Sequence, residues 1–322
     1  MAERERIARY FAPLAAPEPG AFALTDDAAQ LIPPSGYSLM ITTDSVIESI
    51  HVLPGATPEQ VAQKLVRRNL SDLAAMGATP WRYLINLHTP STLPEAWFAA
   101  FAHTLAAEQS AFHMTLIGGD STSGGEHVHA TMTCIGLLDG IALRRTGAQR
   151  DDDLYISGSV GDAALGLTLL QSASLRIAHS DYEFLIDRYH RPQPRLALGK
   201  ALRGLATSGM DVSDGLLADA QQLAAASGVA FTLMRETVPL SDPARRLLQH
   251  DSSLWESIFT GGDDYELLFT APPSARRTIA TLSEQLAMPL TRIGMVKEGS
   301  GIALHDTNGT AIPFGKTGFE HR

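Results

Sequence analysis

The residues in this chain best suited to chemistry are aspartates that each close an apolar segment beside glycine or another small residue. They are Asp26 and Asp27 in LTDDAA, Asp44 in MITTDS, Asp72 in RNLSDLAAMGA, Asp120 in LIGGDST, Asp211 and Asp214 in MDVSDG, and Asp263 and Asp264 in TGGDDYELLF. A single aspartate in such a place is ordinarily a turn former or a helix cap. The repeated pattern points further, because strand ends and glycine loops are where a backbone can approach a ligand closely. Carboxylates gathered at one point repel one another and drift toward protonation unless a cation intervenes. Magnesium takes oxygen ligands and is commonly held by carboxylates together with substrate phosphates. An acidic protein with converging aspartates is therefore suited to receive a phosphate-rich ligand as its magnesium complex.

Spelling sets other chemistries aside. The chain has no G-x-x-x-x-G-K-[ST] phosphate loop and no H-R-D or D-F-G set. The acidic run Asp151 to Asp153 lacks the alternation of a calcium loop and reads as a solvated turn. His127 and His129 share a strand face without a third ligand signature, which argues against zinc. A formal net charge of −10 disfavours nucleic-acid and anionic-membrane partners, which need a positive face. The one cysteine, Cys134, has no intramolecular disulfide partner and fits a reducing compartment; its setting, HVHATMTCIGLL, reads as a buried strand. The opening MAERERIARYF mixes acids and bases, unlike a secretory signal, and no apolar run is long enough to span a membrane. A cytoplasmic location is expected.

The elements that must position these acids follow from pattern. At 322 residues the length suggests two domains. Residues 1–23 read as a short helix and a loosely held arm, and Tyr37 to Val52 as a strand running into a loop. Thr57 to Gln60, TPEQ, has the spacing of a capping box that opens a helix stopped by Gly77. WRYLINLHT is a strand and LPEAWFAAFAHTLAAEQSA a helix. A strand ending at Ile117, a glycine-rich loop GGDSTSGG and the Cys134 strand complete an α+β first domain, residues 1–145. RRTGAQRDDD reads as a linker. Residues 146–322 form a mixed α/β second domain, in which SDGLLADAQQLAAASG is a helix with a capped start and a glycine stop.

Taken in order, DDAA, TTDSVIESIHV, NLSDLAAMGA, LIGGDST, RRTGA, DVSDGL and GGDDYELLF resemble the thiamine-monophosphate kinase family, from about residue 25 to 320. That family shares a superfamily with aminoimidazole ribonucleotide synthetase and selenophosphate synthetase. The resemblance implies a homodimer whose first domains join their sheets in a shared barrel, and ATP-dependent conversion of thiamine monophosphate to thiamine diphosphate with several magnesium ions. Block by block it assigns Asp27, Thr42, Thr43, Asp44, Asp72, Asp120, Asp211 and Asp214 to magnesium. It assigns Gly119, Asp120, Arg145 and Ser213 to the nucleotide, and His51, Asp264 and Phe319 to the substrate. Asp44, Asp72 and Asp120 are the expected catalytic centre. Departures from the family pattern are Thr25 where glycine usually precedes DD, and GGDST and GGDDYEL in place of GGDTT and GGEDYEL. Two other readings remain open: a different ATP-using enzyme of the superfamily, and a non-catalytic magnesium-nucleotide module.

The acceptor implied by this resemblance is itself a phosphate monoester, mostly ionised at neutral pH because its second pKa is about 6. A strong general base is then unnecessary. Repulsion between two anions is the barrier, and positioning with charge stabilisation is the remedy.

Overall fold

The structure is a computed structural model and describes residues 3–172, 177–315 and 317–319. The chain separates into two compact units, one of residues 1–73 and 78–140, the other of residues 74–77 and 141–322.

The first unit begins with α1 (Glu3–Arg6), a π-helical turn (Ile7–Phe11), α2 (Ala12–Ala15) and a 3-10 segment (Pro19–Leu24). The loosely held arm expected here is in fact tied down. Ala15 and Ala21 are buried against Ile117 and Ile135, Glu18 accepts from Arg82 Nε at 2.6 Å, and Arg6 pairs with Glu95 at 2.8 Å. The sheet follows: β1 (Ser38–Ile47), α3 (Pro58–Met76), β2 (Thr79–Thr89), α4 (Glu95–Phe112), β3 (Thr115–Ser123) and β4 (His129–Leu138). The capping box closes reciprocally, Gln60 N–H to Thr57 Oγ1 at 3.3 Å and Thr57 N–H to Gln60 Oε1 at 3.0 Å, and α3 starts at Pro58. Gly77 ends the helix with φ at 73°.

The four strands lie in the order β1-β4-β2-β3 in an open sheet. Val61, Leu65, Leu70 and Leu73 of α3 and Phe98, Phe101 and Leu105 of α4 are buried. The Tyr83 hydroxyl donates to Gln109 of α4 at 3.0 Å, so the helices cover the face that carries Tyr83. Cys134 pairs in register with Tyr83 and is likewise fully buried.

The expected glycine loop after Ile117 is strand instead. After a register shift that skips Ile117, Gly118–Ser123 continue β3 in parallel with Leu84–Thr89. The glycines serve close approach: a Cβ at Gly119 would stand 1.8 Å from the Ile85 carbonyl oxygen.

The second unit contains β5 (Asp153–Ser157), α5 (Asp162–Gln171), α6 (His179–His190), α7 (Leu196–Leu202), β6 (Ser208–Asp211), α8 (Leu216–Ser227), β7 (Ala230–Met234), α9 (Asp242–His250), α10 (Leu254–Thr260), β8 (Leu267–Ala271), α11 (Arg276–Gln285), β9 (Leu290–Lys297) and β10 (Gly301–His305). Its six strands run β10-β7-β9-β5-β8-β6, with β10 parallel to β7 and the other pairs antiparallel. One core joins Ile156, Met210, Leu233 and Val296 to Leu165, Leu185, Leu223, Leu247 and Ile258 from α5, α6, α8, α9 and α10. A second, on the opposite face, joins Tyr155 and Phe269 to Leu198 of α7 and Ile279 of α11. Alternate residues of β5 thus enter different cores, the strand period of two at work.

The run Asp151 to Asp153, expected to be a solvated turn, is two-thirds interior: Asp152 and Asp153 are buried. Asp153 is held by Arg276 at 2.7 and 2.9 Å and by Arg292 at 3.1 Å, and Asp152 accepts from Thr207 Oγ1 at 2.7 Å. Glu266, fully buried, knots the same sheet to its helices. It accepts from Arg188 Nη2 at 2.8 Å, Arg195 Nε at 2.7 Å and Ser157 Oγ at 2.6 Å.

Burial opposes the Glu266 charge, but the Arg195 hydrogen bonds and the Arg195 and Arg188 charges outweigh it and hold its pKa below the ordinary value of 4.5. Its stabilisation is therefore complete above that value and is lost as pH falls through the lower folded-state pKa. Glu266→Gln leaves two guanidiniums uncompensated and should cost about 3–5 kcal/mol at neutral pH. Denaturant unfolding checks this: the gap from wild type should narrow on acidification below pH 4.5, and equal stability at neutral pH would refute it.

Candidate active site

In the first unit the acids fall into two groups. Asp27 and Asp120, both exposed, line a cavity of about 310 Å³ together with Gly119, Asn86, Phe11 and Leu24. Asp120 sits mid-strand in β3, opposite Asn86 of β2, and Asn86 is opposite Thr131 of β4. Thr131 is in turn opposite Ser45 of β1 and bonds to it through the hydroxyls at 2.7 Å. Asp120, Asn86, Thr131 and Ser45 thus share the face away from α3 and α4.

Asp44 is one residue from Ser45 and points to the other face. There the Thr42 hydroxyl donates to Asp72 Oδ2 of α3 at 2.5 Å, and Arg68 Nε lies 3.5 Å from Asp44 Oδ2. The Asp44 N–H donates to Asn69 Oδ1 at 3.0 Å, so one turn of α3 holds both β1 positions. Asn69 was not singled out from sequence; its place in NLSD, beside Asp72, was the signal. Thr43, adjacent to both, faces the opposite way and donates its hydroxyl to the Met132 carbonyl at 3.0 Å. Thr42 and Thr43 therefore cannot serve one ion from the same face.

His51 follows β1 in a turn, half-buried. Its Nδ1 accepts the Ile47 N–H at 3.0 Å, which puts the proton of the neutral ring on Nε2.

In the second unit, Asp211 is buried at the end of β6 and Asp214 half-buried before α8. Phe319 N–H donates to the Asp214 carbonyl at 2.9 Å, and Asp214, Gln222, Gly318 and Phe319 line a cavity of about 420 Å³. Arg145 donates to Gln222 at 3.0 Å. The structure therefore gathers Arg145, Asp214 and a half-exposed Phe319 around α8. Ser213 does not cap that helix; its N–H, with those of Asp214 and Gly215, donates to Asp219 Oδ2 at 3.0, 3.0 and 3.2 Å. Asp219 was also missed from sequence, where it looks like an ordinary acid in a first helical turn. Burial, followed by the charges of Asp211 and Asp214, pushes its pKa up to about 8.

Asp264 is turned inward. It is 3% exposed, and both its oxygens accept the Gly161 N–H, at 3.0 and 2.8 Å, at the start of α5. Burial raises its pKa well above the ordinary carboxylate range. Its neighbour Asp263 is only half-buried and accepts from the Tyr265 hydroxyl at 3.0 Å.

Among the described residues no three His, Cys, Asp or Glu side chains meet closely enough to cage a metal by themselves. The donors on offer are carboxylate and hydroxyl oxygens, hard ligands that fit magnesium. Cys134 is no alternative, since burial pushes its thiol up to about 12.

Residues 25–138 match the family AIR synthase related protein, N-terminal domain, and residues 149–307 match AIR synthase related protein, C-terminal domain. The thiamine-monophosphate kinase of Salmonella typhimurium (strain LT2) is 36% identical over 297 residues, which span 92% of this chain and 90% of that protein. This chain belongs to the thiamine-monophosphate kinase family. The crystal structure of thiamine-monophosphate kinase from Stenotrophomonas maltophilia K279a is 39% identical with a TM-score of 0.82, over 90% of this chain and 91% of that one. A structure of AaThiL complexed with AMPPCP and TMP is 28% identical with a TM-score of 0.75, over 94% and 97%.

In this member of the thiamine-monophosphate kinase family, the cavity wall depends on β3 lying tight on β2. Gly119→Ala should cost about 1–3 kcal/mol by forcing the strands apart. Gly124→Ala, whose Cβ would meet only the His88 ring, with Cε1 at 3.4 Å and Nε2 at 3.9 Å, should be near neutral. Thermal melts of the two variants side by side check the contrast, and equal losses would contradict it.

Proposed function

We propose that this protein transfers the terminal phosphate of ATP to thiamine monophosphate, giving thiamine diphosphate by direct in-line displacement. The observation that carries the reading is the pair of exposed carboxylates, Asp27 and Asp120, on one cavity beside Gly119, in a chain of this family. A cavity lined by anions suits an anionic ligand only with cations between them. Asp27, Asp44, Asp72, Asp120, Asp211 and Asp214, with the Thr42 or Thr43 hydroxyl, would hold the magnesium ions. Bound magnesium neutralises the phosphates and stabilises charge as the phosphoryl group moves. Sites with few protein ligands suit it, since magnesium keeps waters and takes substrate phosphates as ligands.

The chain's own groups do the orienting. Asn86 and Gly119 shape the cavity floor, Arg145 offers a guanidinium fork to nucleotide phosphate, and His51 and Phe319 hold the thiamine portion. Of the Asp263 and Asp264 pair, the half-buried Asp263 is the better candidate for a substrate contact, with Asp264 fixing the turn behind it. Residues 1–145 serve as the nucleotide, metal and dimerisation domain and residues 146–322 as an α/β second domain, in a cytoplasmic homodimer.

The dimer reading has its own support. β1 and β3 are opposite edges of the four-stranded sheet, so Asp44 and Asp120 are about three strand spacings, roughly 14 Å, apart. One ion cannot bridge that gap. Closing two such sheets into a shared barrel brings edges of one copy beside edges of the other. Tyr37, just before β1, and Leu39 and Ile41 within it alternate along the chain and are 43%, 37% and 64% exposed, an apolar stripe fit for that closure.

The test is ATP and magnesium with thiamine monophosphate, followed by chromatography for thiamine diphosphate. Turnover on an aminoimidazole ribonucleotide precursor instead would support the sibling enzyme, and tight Mg-ATP binding without any turnover the non-catalytic module. Asp44→Asn and Asp72→Asn should each abolish turnover, by at least about a hundredfold, while circular dichroism stays unchanged; wild-type rates in either would remove the metal assignment. Ile41→Asp should yield monomers by sedimentation and lose activity, whereas an active monomer would rule out the shared site.

A further inference from the structure

The start of α8 carries a feature that the proposed reaction does not by itself require. Three successive amide donors, from Ser213, Asp214 and Gly215, converge on one oxygen of Asp219 at 3.0, 3.0 and 3.2 Å. Asp219 is 1% exposed and reaches back from the helix's own first turns. Convergent amides at a helix start, with the positive end of the helix dipole, are the usual receptor for phosphate. Here an internal carboxyl oxygen already occupies that receptor. The remaining backbone groups of the loop are fixed as well: the Ser213 carbonyl accepts Asp263 N–H at 2.9 Å, and the Asp214 carbonyl accepts Phe319 N–H at 2.9 Å. Gly262 and Gly318 permit these approaches, since a Cβ would stand 2.2 Å from the Ser213 oxygen or 2.7 Å from the Asp214 oxygen.

We infer that Asp219 is a positioning residue that converts the start of α8 from an anion receptor into a cation-holding loop. By taking all three donors it denies them to phosphate, and by fixing the backbone it sets where the Asp211 and Asp214 carboxylates lie. The inference rests on the reading of Asp211 and Asp214 as magnesium residues. It adds that their geometry is set by a residue that touches neither substrate nor metal.

Two variants separate this role from simple stabilisation. Asp219→Asn keeps the shape and weakens the three bonds; the magnesium concentration for half-maximal activity should rise about tenfold, with the KM for thiamine monophosphate little changed. Manganese titrated alone into the protein by calorimetry should show the same weakening, which separates the inference from the reaction assignment: wild type that binds manganese but makes no thiamine diphosphate would count against the reaction only. Asp219→Ala frees the three donors and should gain stabilisation by sulfate in thermal melts that wild type lacks. Should both variants fail to fold, wild-type amide resonances decide. Those of residues 213–215 should broaden with manganese and stay unmoved by inorganic phosphate. A phosphate-induced shift there, or folded variants with unchanged metal requirement and no sulfate response, would overturn the inference.

Discussion

The register of one four-stranded sheet governs where the acids of the first unit can act. Because strand side chains alternate and in-register neighbours share a face, the bond between the Ser45 and Thr131 hydroxyls fixes the orientation of every residue on β1. Once Ser45 faces with Asn86 and Asp120, Asp44 and Thr42 must face α3, where Asn69 and Asp72 meet them. A slip of one residue would exchange these sets, exposing Val46 and burying Thr43 and Ser45. The fully buried state of Val46, Ala130, Met132 and Cys134 opposes that slip, so the hydrophobic core on one face enforces the placement of the polar side chains on both.

Electrostatics divides the acids of this acidic chain into two kinds. Glu266, Asp153 and Asp219 are interior and satisfied, by guanidiniums in the first two cases and by amides in the third. An unsatisfied charge in their places would cost several kcal/mol, about what a whole domain has to spare, so these partners are structural necessities. Asp27 and Asp120 lie in solvent, where an unpaired carboxylate costs little to keep.

Local chemistry made much of this legible in the sequence. The TPEQ box, the Gly77 stop and the Cys134 strand each depend on a few adjacent residues, and each stands in the structure as read. What the sequence concealed depends on distant partners. GGDSTSGG has the composition of a loop, yet parallel pairing with β2 makes it strand, and its glycines answer to the Ile85 carbonyl. Asp151 to Asp153 look solvated until Arg276 and Arg292, more than a hundred residues away, claim Asp153. Asp264 reads like its neighbours in TGGDDYELLF, and only the Gly161 amide reveals it as an anchor. For Asp219 the signal was present in SDGLLAD, but nothing in the spacing says that a side chain four to six residues on will fold back over the loop.

The exposed stripe on β1 bears on why the chain leaves its sheet open. An edge strand with Leu39 and Ile41 in solvent, and Tyr37 just before it, is a template for association, and no proline or inward charge interrupts residues 37–43 to blunt it. Two copies of charge −10 repel, but that repulsion is screened beyond about 8 Å at physiological salt. Covering a large apolar side chain contributes about 1.5–3 kcal/mol, repeated for each residue of the stripe on both copies, and acts at contact where screening does not reach. For the homodimer proposed above, this balance would favour association through this strand, with the charge elsewhere opposing further growth. In that proposed dimer, closing the open sheet against a second copy would bring Asp44 and Asp120, which lie on its opposite edge strands, closer together.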